Sequence, residues 1–212
     1  MARVRKIPTS PPRNTRNYFL VDACFLVNKY IPIKSVKPAT AQPAVRACKT
    51  WWDEIDRQID DERARVYAPD VCIAETFKVL ARKYYNDAAF KFSAEYKTAR
   101  DRLMRDIRTP DKVLKAQDRY IRYHDLPTSR DIIIAIDRFY ELFMKHGKAV
   151  SVVDLILVAG AKYLMDFYDI PRRQLHIITL DDRLRSGISK ITQLPNAYDP
   201  TRHADRYEIV FE

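Results

Sequence analysis

Four carboxylates in this sequence share one kind of placement. Asp22 ends the apolar run Tyr18-Phe19-Leu20-Val21, and Asp181 ends the run His176-Ile177-Ile178-Thr179-Leu180. Glu75 lies within two turns of the helix start signalled by Pro69-Asp70, and Asp154 follows Ser151 by three residues. In an open parallel sheet, acids at strand carboxyl ends and in the first turns of the following helices converge on the crevice where ligands bind. The chemistry that such a set serves is phosphodiester hydrolysis. That reaction needs an activated water, neutralised charge on the phosphate and help for the leaving oxygen, all of which divalent ions supply. Mg²⁺ and Mn²⁺ favour oxygen ligands, and Mg²⁺ keeps several waters while taking one or two carboxylates.

Each acid also has a purely structural reading. Ser151 and Asp154 form S-x-x-D, the signature of a capping box. Asp181 or Asp182 suits a helix N-cap. Glu75 is favoured near a helix N-terminus by the dipole. Asp22 is the hardest to explain this way. It stands between an apolar strand and Ala23-Cys24-Phe25-Leu26, so it is expected to be partly buried, and a buried carboxylate needs a cation or hydrogen bonds.

The elements that position these acids follow from hydrophobic periodicity. The runs before Asp22 and Asp181 are continuous and apolar, as in strands buried on both faces. Arg65-Val66-Tyr67-Ala68 is a shorter third strand. Helical spacing is predicted over 44–64 (Val45, Cys48, Trp51, Trp52, Ile55, Ile59) and from Pro69-Asp70 to about Tyr85. Two more helices run from about Ile132 to Gly147 and from Ser151 through Leu164. The stretch from Asp87 to His124 reads as one or two exposed basic helices broken near Thr109-Pro110, and Ile188–Leu194 as a last strand or turn. Alternating strands and helices give an α/β class with a parallel sheet. The expected organisation is a basic arm over 1–16, a catalytic-type domain over 17–196 with an enlarged helical part at 87–148, and a tail over 197–212.

Composition narrows the function classes. The chain has 212 residues and a net charge of +10, which points to a polyanionic partner. Only 3 glycines are present, and no P-loop or GxGxxG motif appears among them. The 3 cysteines, Cys24, Cys48 and Cys72, form no zinc pattern or disulfide framework. Cys24 and Cys72 sit in apolar runs and read as buried thiols in a reducing compartment. No apolar run is long enough to span a membrane, and no signal peptide is evident, so a cytoplasmic location is expected.

The order of motifs resembles the PIN-domain nucleases, including the toxins of VapBC-type toxin–antitoxin pairs. The segments are V-D-A-C-F-L at 21–26, A-P-D-V-C-I-A-E at 68–75, S-V-V-D-L-I-L-V-A at 151–159 and I-I-T-L-D-D-R-L at 177–184. The resemblance implies a three-layer α/β/α fold with a central twisted parallel sheet, here with a helical basic insertion. It implies a Mg²⁺- or Mn²⁺-dependent endoribonuclease whose catalytic acids are Asp22, Glu75, Asp154 and Asp181, with Asp22, Asp154 and Asp181 as metal ligands. Thr179, Ser151 and Asp182 are the supporting residues. RNA is the implied substrate, ahead of DNA, and an antitoxin-type inhibitor that inserts a basic residue among the acids is an implied partner. A homodimer is also considered. Two departures stand out. Position 24 is Cys, where the family often has a small polar residue, and Glu75 and Asp154 are further apart than in the smallest toxins.

Lys78 and Arg82 follow Glu75 on one helix face, and Arg183 follows the T-x-D turn; each is a candidate phosphate contact or a solvated cation. Of Trp51 and Trp52, one is expected in the core and the other in the core or an interface. His124, His146, His176 and His203 show no ligand spacing. The competing readings are a catalytically inactive PIN-like nucleic-acid-binding or assembly module and a phosphatase with Asp22 as nucleophile. The phosphatase reading lacks the D-x-D such sites carry, since position 24 is Cys.

Overall fold

The computed structural model describes residues 16–36, 39–107, 123–202 and 210–211. Five parallel strands form one sheet: β1 (Asn17–Val21), β2 (Ala64–Pro69), β3 (Tyr123–Leu126), β4 (Leu175–Ile178) and β5 (Asn196–Tyr198). Their order across the sheet is β3-β2-β1-β4-β5. The helices are α1 (Ala23–Tyr30), α2 (Gln42–Asp60), α3 (Asp70–Tyr85), α4 (Ser93–Ile107), α5 (Arg130–Lys145), α6 (Val152–Phe167) and α7 (Asp182–Ile188).

The inner strands β1, β2 and β4 are largely apolar because both faces of the sheet are covered. Phe19 and Val21 point into one core, with Phe25, Trp51, Trp52, Leu80 and Leu103 from α1 to α4. Tyr18 and Leu20, one residue out of phase, point into the other core, with Phe139, Phe143, Leu157 and Leu184 from α5 to α7. This is the expected α/β/α sandwich, and the period-2 alternation of side chains along β1 makes it. The crossovers from β1 to β2 and from β3 to β4 leave on opposite sides of β1. A switch point therefore opens between the carboxyl ends of β1 and β4.

The predicted helix boundaries hold closely for α3, α5 and α6. Gly147 ends the α5 region with φ +64, the left-handed conformation that glycine adopts without a Cβ penalty. Other expectations need correction. Tyr123–Leu126 is a strand, not the end of a basic helix; it pairs with β2 at the sheet edge, and Tyr123 is buried. The helix expected over 44–64 ends at Asp60, because Ala64 begins β2. α4 is not wholly exposed, since Ala99 and Leu103 are buried. In keeping with the expectation, both tryptophans are core residues; Trp52 stacks on Phe25 with ring centroids 4.7 Å apart. The packed sheet continues past residue 196 through β5, and Val210 is buried. The basic arm before Arg16, the cations from Arg108 to Arg122, the Thr109-Pro110 break and His203 lie outside the described residues.

Candidate active site

Asp22 leaves β1 at the switch point and caps α1. Its backbone N–H donates to the Ile178 carbonyl at 3.2 Å, which carries the β1–β4 pairing up to the acid. Oδ1 accepts the Phe25 N–H at 2.6 Å, and Oδ2 accepts the hydroxyl of Thr179. The residue is only 8% exposed. Burial outweighs the hydrogen bonds and pushes the carboxyl up to about 7, with the Asp154 charge adding to the rise.

Thr179 joins two of the acids. Its hydroxyl donates to Asp22 and accepts the backbone N–H of Asp181 at 3.0 Å. Asp181 in turn caps α7, and its Oδ1 accepts the N–H groups of Arg183 at 2.7 Å and Leu184 at 3.0 Å. Asp154 completes a capping box on α6. Its Oδ2 accepts the Ser151 N–H at 2.9 Å and the Ser151 hydroxyl at 2.7 Å. Three of the four acids therefore fill the structural roles open to them as helix caps. The capping of α1 by Asp22 had no Ser/Thr or capping-box signal in the sequence.

Capping does not use up these carboxylates. Asp154 Oδ1 and Asp181 Oδ2 accept no hydrogen bond among the described residues, and Glu75 is exposed in the second turn of α3. All four acids lie within electrostatic reach of Cys24, at the carboxyl end of the sheet. The Cys24 thiol is pushed up to about 12, by desolvation first and then by the charges of Asp22, Glu75, Asp154 and Asp181. Cys24 is exposed, against the expectation of a buried thiol, whereas Cys72 is buried as expected.

A hard cation suits the chemistry of this set: one desolvated carboxylate, two half-capped ones with a spare oxygen each, and an exposed fourth. Among the described residues, no three His, Cys, Asp or Glu are gathered closely enough to form a ready cage.

The supporting residues divide. Ser151 and Thr179 hold acids directly. Asp182 is exposed and turned to cations instead, at 2.7 Å from Arg185 and 3.2 Å from Arg202, and these hold its carboxyl below the usual range. Lys78, Arg82 and Arg183 are exposed, with Lys78 and Arg82 on the α3 face that carries Glu75. His176 is a core residue of β4, and burial lowers it to about 4. A further strand-end acid, Asp199, escaped the sequence reading. It follows the three-residue β5, accepts the Thr201 N–H at 2.8 Å and pairs with Arg202 at 3.5 Å. Its only sequence signal was an acid after a run too short to register as a strand.

The fold that carries these acids is an open parallel α/β sheet, and solved structures share that fold. A chain in the crystal structure of VapBC2 from Rickettsia felis bound to a DNA fragment from its promoter superposes with a TM-score of 0.51 at 8% identity. The match covers 86% of this chain and 98% of that one. FitAB bound to the IR36 DNA fragment gives a TM-score of 0.52 at 14% identity, covering 87% and 96%. FitAcB from Neisseria gonorrhoeae gives 0.52 at 15% identity, covering 87% and 99%. At these identities the likeness is one of fold, and that fold is PIN-like, as the four sequence segments anticipate. No protein-family model matches the sequence, and no curated protein matches it.

Proposed function

We propose that this chain is a divalent-metal-dependent endoribonuclease. The observation that carries the reading is the convergence of Asp22, Glu75, Asp154 and Asp181 around position 24, at the switch point of a PIN-like sheet. Asp22, Asp154 and Asp181 would hold Mg²⁺ or Mn²⁺ directly or through water, with Glu75 assisting. The bound ion would supply charge neutralisation at the phosphate and a water of lowered pKa. The chain's own part is positional. Thr179 locks Asp22 and Asp181 into one hydrogen-bonded unit, and Ser151 holds one oxygen of Asp154 while the other stays open. A cation beside the desolvated Asp22 would draw its carboxyl back to the charged form. Lys78, Arg82 and Arg183 are the proposed contacts to the RNA backbone, and the net charge of +10 supports a polyanionic substrate.

A protein inhibitor of the antitoxin type fits the same crevice, since a Lys or Arg inserted among the acids would satisfy their open oxygens. A homodimer would cover the exposed Ile133, Ile134, Tyr140 and Met144 of α5. The second reading, a catalytically inactive PIN-like binding or assembly module, is favoured by the spacing of the acids, which form no ready cage among the described residues. Among the described residues no helix is long and apolar enough to cross a membrane.

The test is cleavage of a pool of structured RNAs by purified protein with Mg²⁺, Mn²⁺ or EDTA. Cleavage is expected with either metal and not with EDTA, and it should be lost in Asp22→Asn and Asp154→Asn. Undiminished cleavage by both variants refutes the assignment.

A further inference from the structure

Asp22 caps the first turn of α1; Lys29 lies in its last turn, and a second charged site is built there. A cavity of about 300 Å³ is lined by Lys29, Arg46, Lys49, Asp53, Asp56 and Arg102. Its acids do not cancel its cations. Asp56 is taken up by Lys29, whose Nζ lies 2.6 Å from it and whose side chain is only 9% exposed. The Lys29 ammonium also sits over the ring of Trp52, 4.7 Å from its centroid, and meets the Tyr123 hydroxyl, so it is fixed from several sides. Among the described residues that line the cavity, Arg46, Lys49 and Arg102 then face Asp53 alone. None of the three makes an ion pair among the described residues. Lys49 is anchored through its donation to the Lys29 carbonyl at 2.6 Å. Desolvation, and then the charge of Arg102, hold Lys49 below the usual lysine range, so two cations share one space. Arg46 and Thr50 also line an adjoining groove of about 470 Å³, whose other walls include the small residues Ala39, Pro43 and Ala47.

We infer that Arg46, Lys49 and Arg102 form a binding site for a phosphate group, separate from the acid cluster. Three cations with one opposing acid favour a dianion over a neutral guest, and guanidinium forks match phosphate oxygens in pairs. An anion seated there would relieve the repulsion between Lys49 and Arg102. The adjoining groove leaves room beside the phosphate for a sugar and base. The phosphate has two sources, a free phosphate compound or the backbone of a nucleic-acid strand. The inference does not depend on the acid site being catalytic.

The test is calorimetric titration of the Asp22→Asn protein in EDTA, so that no strand is cut. The ligands are inorganic pyrophosphate, adenosine monophosphate and a short single-stranded RNA, each titrated into this protein and into the same protein with Arg46→Gln and Arg102→Gln added. Both arginines are exposed, so the added changes should leave melting unaltered, and each single change should carry part of the loss. At least one ligand is expected to bind, and the double change should weaken it by about tenfold or more. For RNA, the slope of log affinity against log salt should also become shallower by about 1.4, or ~0.7 for each lost contact. Weakened binding of pyrophosphate or the mononucleotide identifies a free ligand; weakened binding of RNA alone identifies the strand backbone. If none of the three binds, or all bind equally with and without the two arginines, the inference is overturned.

Discussion

Replacing Asp22 with Asn is expected to stabilise the cation-free protein at pH 8 and to destabilise it by roughly 1–2 kcal/mol at pH 4, where no buried charge offsets the poorer hydrogen bonding. Burial raises the Asp22 carboxyl from its ordinary 3.8 to about 7. A group whose folded value lies above its unfolded value contributes stability that is fully present below the unfolded value. That stability is lost as pH rises through the folded one. The window for Asp22 is therefore about pH 4 to 7, and above it the buried charge costs on the order of 4 kcal/mol. Asn carries no charge, so the cost disappears. It keeps an acceptor for the Phe25 N–H but meets Thr179 less well, because that hydroxyl donates to Oδ2 and already accepts from Asp181. Allowing about half for this mismatch leaves a gain of roughly 2 kcal/mol at pH 8, or about 4–8 °C in Tm for a chain of this size. Thermal unfolding in EDTA at pH 4 and pH 8 measures it. Mg²⁺ at pH 8 should narrow the gap by raising the wild type alone. A variant that is less stable than wild type at pH 8 would refute the argument that Asp22 is held against its burial for want of a cation.

His176 has the opposite sign. Burial lowers it from 6.5 to about 4, so the neutral folded form loses stability as pH falls across that window. It therefore masks much of the Asp22 effect in the wild type. His176→Leu should melt at a Tm that rises on acidification from pH 7 to pH 4, whereas Asp22→Asn should show a falling one. Thr179→Val keeps the shape of a fully buried residue but removes the hydroxyl between Asp22 and Asp181. It should lower stability by about 1–3 kcal/mol in denaturant titrations and weaken Mg²⁺ binding measured calorimetrically. Ser151→Ala removes half of the capping box on α6 and should cost about 1 kcal/mol by chemical unfolding. Gly187→Ala places a Cβ 2.3 Å from Phe143 Cε1, so a loss of about 1–3 kcal/mol in the same assay is expected.

Much of the site was legible because a parallel sheet writes itself plainly. Phe19 to Val21 and Ile177 to Ile178 are apolar on both faces, and each run stops at the turn that carries its acid. The S-x-x-D and Pro-Asp signals likewise marked where α6 and α3 begin. β3 was not legible. Tyr123-His124-Asp125-Leu126 has polar residues in its middle because it is an edge strand, and it follows a run of cations that reads as helix. β5 is too short for any period to show. Cys24 misled for a related reason: its neighbours are core residues, but it stands on the outward side of the first turn of α1. The convergence of the four acids depends on strand order, and no local pattern states that β4 lies beside β1.

The central place of β1 has a consequence for synthesis. Its first partner, β2, follows within about fifty residues, but the neighbour that completes the crevice, β4, begins only at Leu175. Asp22 and the Thr179 hydroxyl that fixes it are 157 residues apart. A chain emerging from the ribosome can thus fold α1 and β2 early, yet it holds its acids unassembled until Thr179 and Asp181 have cleared the exit tunnel. If the site cuts RNA, the growing chain is harmless to its own message and to the ribosome that makes it for most of its synthesis.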